Sequence, residues 1–456
     1  MLGSSEKDFS PDGHISFVST DLRAQAKQIV TELLTAIHQK MPAHFPTRYV
    51  RYTRYVPETI EYDQHHIATN IRWKGEDTLV PEHPERTSWI REFVEKTIEA
   101  HAAVNKLSEL FGPQPEVVKN TVDAFLVREG ETPADNAIEI LLDDLEGKPP
   151  LWRVSAMMYG VAPSTESITL VEGIELRKVR KEDLVLGGYS PFSVQLSFPN
   201  PHSILEFSTA GFPHEVQDKV GAISIVLTLF RETPANVFSY DMRPKSFLQF
   251  GGTLSRQRGL SDRPMVMLDP DDARHLRNLF KLIGTKIPKA VLRNEPIDPL
   301  EMGLKRYLDS LRSNVLPEEK LTYAIMGTEA LLLEGETELK FRLQSRLARL
   351  LGSLNESPQT VFVDLSEAYE LRSSYVHGAS LTPQERSKCD EMLTRLWRYL
   401  RKTILFMMLH EITSDGKKKQ FLKQLDFALV DQEKAQAVAD QCRQVLSLAE
   451  GAFLAS

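Results

Sequence analysis

The stretch Tyr369-Glu-Leu-Arg-Ser-Ser-Tyr-Val-His-Gly378 ends a run of helical pattern and carries the two most informative polar residues of the chain. At helical spacing, the apolar side of this run is formed by Val361, Leu365, Ala368, Arg372 and Val376. Arg372 is therefore predicted to face the interior and not the solvent. His377 directly precedes Gly378, a residue type that commonly terminates helices.

The two helical patterns that precede this one each carry a further charge on the apolar side. Arg346 lies in a row with Leu343 and Leu350. Glu329 lies in line with Leu332. An unpaired charge in a protein interior costs several kcal/mol. We therefore expect Glu329, Arg346 and Arg372 to meet one another or a ligand. One glutamate with two arginines leaves a surplus positive charge, which suits a phosphate. A Glu–Arg network that only fixes helix packing is the alternative.

Arg372 and His377 together are suited to phosphate chemistry. Five positions correspond to about 140° around an ideal helix, so the pair meets only if the helix ends at Gly378 and turns the imidazole back. A histidine can donate or accept a proton near neutral pH, and an arginine can stabilise charge on phosphorus oxygens. We therefore predict that the pair cleaves RNA, with Tyr375 orienting the substrate. Since about one Arg-x4-His match per chain is expected by chance, the helical context and the inward arginine carry this prediction.

The ten residues resemble the closing motif of HEPN domains, specifically of the Apea-like branch. In that branch a helix with Glu-Ala-Leu-Leu, here residues 329–332, precedes an arginine-bearing helix, here residues 339–350. The resemblance extends over about residues 300–410.

This resemblance implies a helical bundle that dimerises and brings two Arg-x4-His motifs into one composite cleft. It also implies a metal-independent endoribonuclease that leaves a 2′,3′-cyclic phosphate, often in antiviral defence or toxin systems. Carried over to this sequence, Arg372 and His377 are the catalytic pair, and Glu329 and Arg346 are supporting residues. Some HEPN domains are inactive partners or scaffolds, so a non-catalytic helical dimerisation module is the alternative.

The polar start, which has no apolar core of a signal peptide, and the short apolar stretches predict a cytosolic protein, and no cofactor is predicted. The 456 residues are 41% hydrophobic and 26% charged, which is ordinary for a globular protein. A net charge of −8 argues against a surface that coats nucleic acid, but it permits a local basic pocket. With Cys389 and Cys442 as its two cysteines, the chain is expected to have neither a disulfide framework nor a thiolate metal cluster. No apolar stretch is long enough to span a bilayer.

The periodicity of hydrophobic residues predicts an α+β fold with a division along the chain. Residues 1–20 are predicted to be a flexible tail. Residues 21–295 are predicted to form a mixed α/β region that senses or regulates, and this region allows two subdomains with a boundary near residue 148. Residues 296–456 are predicted to form the helical bundle with additional carboxy-terminal helices.

Local patterns predict the main elements of the α/β region. A helix is expected over residues 21–40, short strands over 49–73, and one long helix over 85–111. Residues 151–161 and 167–179 have strand composition with a turn between them, and they are expected to pair as a hairpin.

Other constellations carry weaker predictions. Neighbouring side chains of a strand point to opposite faces, so His65 and His66 are not expected to share one metal ion. An unrecognised active site within residues 21–295 is a second alternative to the ribonuclease. The partners that we predict are an RNA substrate, a second copy of the chain, and an unidentified trigger ligand or protein at the amino-terminal region. No membrane is predicted among them.

Overall fold

The computed structural model describes residues 20–63, 68–129, 135–184, 201–231, 235–255, 265–312, 315–335, 338–378 and 382–453. The chain has an α+β fold, in which a region of helices and sheets precedes a run of helices. Most of the expected flexible tail, residues 1–19, lies outside the described residues, as do His65 and His66. Within the described part, no helix is both long and apolar enough to cross a lipid bilayer.

The amino-terminal part consists of helices and one long two-stranded ribbon. Its elements are α1 (Thr20–Lys40), β1 (Arg48–Tyr62), β2 (Ala68–Glu82), α2 (Pro84–Lys96), α3 (Ile98–Phe111), α4 (Pro115–Glu129) and α5 (Asp135–Leu145). The predicted helix over residues 21–40 is confirmed, and the predicted strands are longer than expected, since β1 and β2 pair antiparallel over almost their whole length. The single helix predicted over 85–111 is wrong, because Thr97 has an extended backbone and separates α2 from α3.

These helices have an apolar core of their own. On α1 the residues Ala26, Val30 and Leu33 recur at helical spacing and are buried. They belong to the same apolar cluster as residues of α2, α3, α4 and α5, and Phe247 is the one residue of this cluster from later in the described chain.

A six-stranded antiparallel sheet forms the middle of the chain, with the strand order β5-β6-β7-β3-β8-β9. The elements of this part are β3 (Leu151–Tyr159), β4 (Val161–Pro163), β5 (Ser167–Val171), β6 (Ile174–Arg177), β7 (Ser203–Ala210), α6 (Pro213–Phe230), β8 (Asn236–Lys245), β9 (Gly252–Ser255), β10 (Val266–Leu268) and α7 (Pro270–Ile283). The predicted hairpin is wrong: β3 pairs with β7 and β8, while β5 and β6 pair with each other. The short strand β4, which pairs with β10, separates β3 from β5.

The described residues that follow α7 are mostly helical. Their helices are α8 (Lys289–Arg293), α9 (Pro299–Ser310), α10 (Pro317–Leu332), α11 (Leu339–Gly352), α12 (Pro358–Val376), α13 (Pro383–Leu409), α14 (Asp415–Phe427), α15 (Gln432–Leu448) and α16 (Glu450–Phe453). Proline stands at the start of α9, α10, α12 and α13, where its missing N–H costs nothing.

Glycines allow α9 and α10 to approach each other closely. A Cβ atom on Gly303 would lie 2.5 Å from Leu331 Cδ2, and one on Gly327 would lie 3.2 Å from Arg306 Cβ. These two glycines therefore set the distance between α9 and the helix that carries Glu329.

The sheet and the helical part share one apolar cluster, which runs from Trp152 to Phe453. A buried cation also joins them: Arg401 of α13 donates from Nη1 to the carbonyl oxygens of Leu229 and Phe230 at the end of α6. Cations near the last carbonyls of a helix are favourable, because those groups carry the negative end of the helix dipole. The core is thus continuous across residue 295, and the division into domains at that position stays a prediction.

Candidate functional site

Arg372 and Glu329 meet, as the sequence predicted. Ser357 starts α12 by accepting a hydrogen bond from the Thr360 N–H, and the helix carries Arg372 in its last turns. Arg372 Nη1 donates to Glu329 Oε1 at 2.8 Å, and the two side chains are 22% and 20% exposed. The pair joins α12 to α10 at a position that is shielded but open to solvent on one side.

Tyr369 is a third member of this cluster, which the sequence analysis did not assign. Its hydroxyl donates to the same Glu329 oxygen at 2.9 Å, and its ring lies 5.4 Å from the guanidinium of Arg372. Burial, and after it the charge of Glu329, raise the pKa of this hydroxyl above its ordinary value, so that it stays a donor. The sequence could have indicated this contact, because Tyr369 lies three positions before Arg372 and residues three apart on a helix are neighbours.

Arg346 does not join this cluster, so the prediction that three inward charges converge is wrong for it. Arg346 is 4% exposed, and its Nε and Nη2 atoms donate to Asp426 of α14 at 2.7 and 2.6 Å. Its Nη1 atom donates to the carbonyl oxygen of Leu332 at 2.8 Å. The carboxylate that Arg346 binds belongs to α14, whereas the sequence predicted a partner on α10 or α12.

Two cations cap the carboxy-terminal end of α10. Arg346 binds the carbonyl of Leu332, and Lys418 donates to the carbonyl of Ala330 at 2.7 Å. Burial lowers the pKa of Lys418. Because Glu329 lies in the last turn of α10, these contacts fix the backbone that carries it. Arg346 thus supports the site through the helix and not through a direct contact.

The helix α12 ends at the position that the sequence predicted. Its last helical residue is Val376, His377 follows as the cap, and Gly378 has a left-handed backbone with φ of +83°. The His377 side chain is exposed. Val376 is 59% exposed, so its predicted place on the buried side of the helix is wrong, because the last turn extends beyond the helices that cover that side. Within the described residues its imidazole forms no hydrogen bond or ion pair, and so the expected approach to Arg372 does not produce a hydrogen bond in one copy of the chain.

Tyr375 contacts the first turn of α10, whereas the Glu329 cluster lies at the last turn of that helix. Its hydroxyl donates to Glu319 Oε1 at 3.2 Å, and desolvation together with the charge of Glu319 raises its pKa. Ser373 and Ser374 are exposed. The candidate site is therefore a band of polar groups between α10 and the end of α12.

The left-handed conformation of Gly378 gives a first prediction. Gly378→Ala is expected to lower the free energy of unfolding by about 1 kcal/mol, because a Cβ atom is strained at positive φ. Gly416→Ala is the matched control, since both glycines have open space around the missing Cβ and only Gly378 has positive φ. Urea denaturation of both variants measures the difference, and an equal loss in the two would contradict this account.

The charges of the site are balanced within one copy of the chain. Glu329 neutralises Arg372, and Asp426 neutralises Arg346, so the surplus positive charge predicted from two arginines is absent. The guanidinium of Arg372 still has unused donors, because only Nη1 is bonded to Glu329 and the buried Nε has no partner among the described residues.

Comparisons of the chain with protein-family models, with curated proteins and with solved structures give no match. The residues that the structure brings together are Glu329, Tyr369 and Arg372, with His377 exposed at the end of the same helix.

Proposed function

We propose that the protein is an endoribonuclease of HEPN type in which Arg372 and His377 act on the phosphate that is cleaved. One observation carries the proposal: a positioned arginine and an exposed histidine without a partner among the described residues lie within five residues at the end of one helix. An imidazole that no other group occupies is available for proton transfer near neutral pH.

The proposed reaction is an internal transfer. The ribose 2′-oxygen attacks phosphorus, the bond to the 5′-oxygen breaks, and the product is a 2′,3′-cyclic phosphate with a free 5′-hydroxyl. His377 accepts the proton of the 2′-hydroxyl or supplies one to the leaving oxygen. Arg372 stabilises the charge that develops on the phosphorus oxygens.

We further propose that two copies of the chain complete the site. One copy has a single exposed His377 beside the held Arg372, so a second copy would supply a second imidazole, and one histidine could accept a proton while the other supplies one. Val376, which is 59% exposed beside His377, is an apolar side chain that such an interface would cover. Glu329 and Tyr369 are positioning residues in this proposal, because they hold the guanidinium and do not reach the substrate.

The test is RNA cleavage by the purified full chain in buffer that contains EDTA. The wild-type protein is expected to cleave, and His377→Ala is expected to lose at least 10²-fold in rate, as is typical for a general acid or base. His101→Ala is the control, since His101 is an exposed histidine on α3. If His377→Ala cleaves at the wild-type rate, the site lies elsewhere.

A non-catalytic dimerisation module is the second candidate, and the balanced Glu329–Arg372 pair favours it, since such a pair is satisfied without a substrate. A dimer that folds normally but cleaves no RNA would support this candidate. In either case the amino-terminal helices, with an apolar core of their own, are proposed as the part that senses or regulates. Antiviral defence or a toxin-like system is the proposed setting.

A further inference from the structure

A cavity with both polar and apolar walls lies between the sheet region and the first long helix of the helical part. Its walls include Ser224 and Thr228 of α6, Asn236 of β8, Lys305 and Asp309 of α9, and Arg312 just after α9. The cavity measures about 50 Å³, several times the roughly 10–15 Å³ that one water needs. It therefore has space for an anion of a few heavy atoms.

Among the described residues that line this cavity, basic side chains outnumber acidic ones. Asp309 is buried, and three cations share its carboxylate: Lys305 Nζ lies 2.6 Å from Oδ1, Arg312 Nη2 lies 2.7 Å from Oδ1, and Arg306 Nη1 lies 3.7 Å from Oδ2. Among the described residues that line the cavity, Asp309 is the one acid, whereas Lys305 and Arg312 are both basic. A surplus of positive charge in a partly buried cavity favours an anion.

Hydrogen-bond donors remain unused at the same place. Arg312 forms an ion pair with Asp309 through Nη2, and its other guanidinium nitrogens form no hydrogen bond or ion pair with the described residues. The Asn236 side-chain amide has no hydrogen bond within the described residues. Ser224 and Thr228 donate their hydroxyl protons to backbone carbonyls, so they contribute polarity and not donors.

We propose that this cavity binds a phosphate group, either as inorganic phosphate or as part of a small phosphorylated molecule. Arg312 and Lys305 would contact the phosphate oxygens, and Asp309 holds both cations in place. The planar guanidinium suits a tetrahedral oxyanion because it can donate two parallel hydrogen bonds. This site is separate from the proposed ribonuclease site and does not depend on it.

The position of the cavity makes a bound anion a bridge between two parts of the chain. One wall belongs to α6 and β8, and the other belongs to α9. Through Gly303, α9 packs closely against α10, which carries Glu329. A phosphate ligand would therefore join the sheet region to the helices that hold the candidate site.

The experiment is calorimetric titration of the full chain with inorganic phosphate, and separately with adenosine monophosphate, at an ionic strength kept constant with sodium chloride. The wild-type protein is expected to bind phosphate, and Arg312→Gln is expected to bind at least tenfold more weakly, because a charge-assisted hydrogen bond is lost. Equal affinities for the two probes would assign the site to the phosphate group alone. Tighter binding of adenosine monophosphate would assign it to a phosphorylated small molecule.

Two further variants make the test specific. Arg91→Gln is the matched control, since Arg91 is an exposed arginine paired with Asp123 in the amino-terminal helices. Asn236→Ala removes a polar group of the cavity without removing a charge, and a several-fold weaker affinity is expected. Absence of phosphate binding in the wild type, or unchanged binding in Arg312→Gln, would overturn the proposal. The phosphate titration contains no RNA, so its result does not depend on whether the protein cleaves RNA.

Discussion

Arg372→Ala is expected to lower the rate of RNA cleavage by about 10²–10³-fold, the usual effect of removing one group that stabilises developing charge. The guanidinium is held by Glu329 and lies over the Tyr369 ring, so its position is fixed before substrate binds. Arg372→Lys is expected to restore only part of the rate, because a lysine keeps the charge but loses the planar arrangement of donors. Single-turnover cleavage in EDTA measures both variants.

A matched ion pair separates catalysis from folding in this experiment. Arg395 of α13 pairs with Asp364 at 2.9 Å and is likewise partly exposed, but it is absent from the Glu329 cluster. Arg395→Ala is therefore expected to lose stability without a comparable loss of cleavage per folded molecule. If Arg372→Ala retains the wild-type rate, or if Arg395→Ala loses as much, Arg372 is not a catalytic residue.

Tyr369 and Glu329 are proposed to affect cleavage only by holding Arg372. Substitution of either one should therefore lower kcat less than substitution of Arg372 and should change KM little. Tyr369→Phe keeps the ring beneath the guanidinium and removes the hydrogen bond to Glu329. A hydrogen bond of this kind contributes about 1 kcal/mol, which corresponds to a several-fold lower kcat with little change in KM. An equal effect on both constants would instead indicate direct contact with the substrate.

Arg346→Ala is expected to have the largest effect on stability, lowering the free energy of unfolding by about 2–4 kcal/mol. The substitution removes a bidentate pair with Asp426 and leaves the Leu332 carbonyl without its donor. The cost stays below that of a fully buried pair, because Asp426 is 44% exposed and water can solvate it. Urea denaturation measures the loss.

Arg349 provides the control for this prediction, since it lies on the same helix, within one turn of Arg346, and has no ion pair among the described residues. Arg349→Ala is expected to cost less than about 1 kcal/mol. A loss equal to that of Arg346→Ala would show that the Asp426 pair does not stabilise the fold. Cleavage per folded molecule should survive in Arg349→Ala and fall only several-fold in Arg346→Ala, because Arg346 holds the end of the helix that carries Glu329 but does not contact the proposed substrate.

Local patterns in the sequence predicted much of the helical part. The inward faces of α10, α11 and α12 follow from apolar spacing, and the ends follow from proline and glycine, whose backbone preferences are intrinsic. The end of α12 at Gly378 is an example, since only a residue without Cβ adopts this φ without strain. The sequence also predicted that Arg372 and Glu329 would face the interior, where they meet.

These local patterns could not predict contacts between segments that are distant in the sequence. The predicted pairing of residues 151–161 with residues 167–179 failed because strand composition does not specify a partner, and β3 lies between β7 and β8. The break at Thr97 was missed because no proline or glycine marks it.

By itself, the sequence determined where the helix with Arg372 ends and, as far as Ala368 but not at Val376, which of its faces is buried, because both depend on residues within a few turns. The tertiary structure decided which partner each buried charge has. Arg346 pairs with Asp426, 80 positions away along the chain, so it does not add its charge to the Glu329 cluster. A buried charge needs a partner, and the packing of helices that are remote in sequence determines which one is within reach.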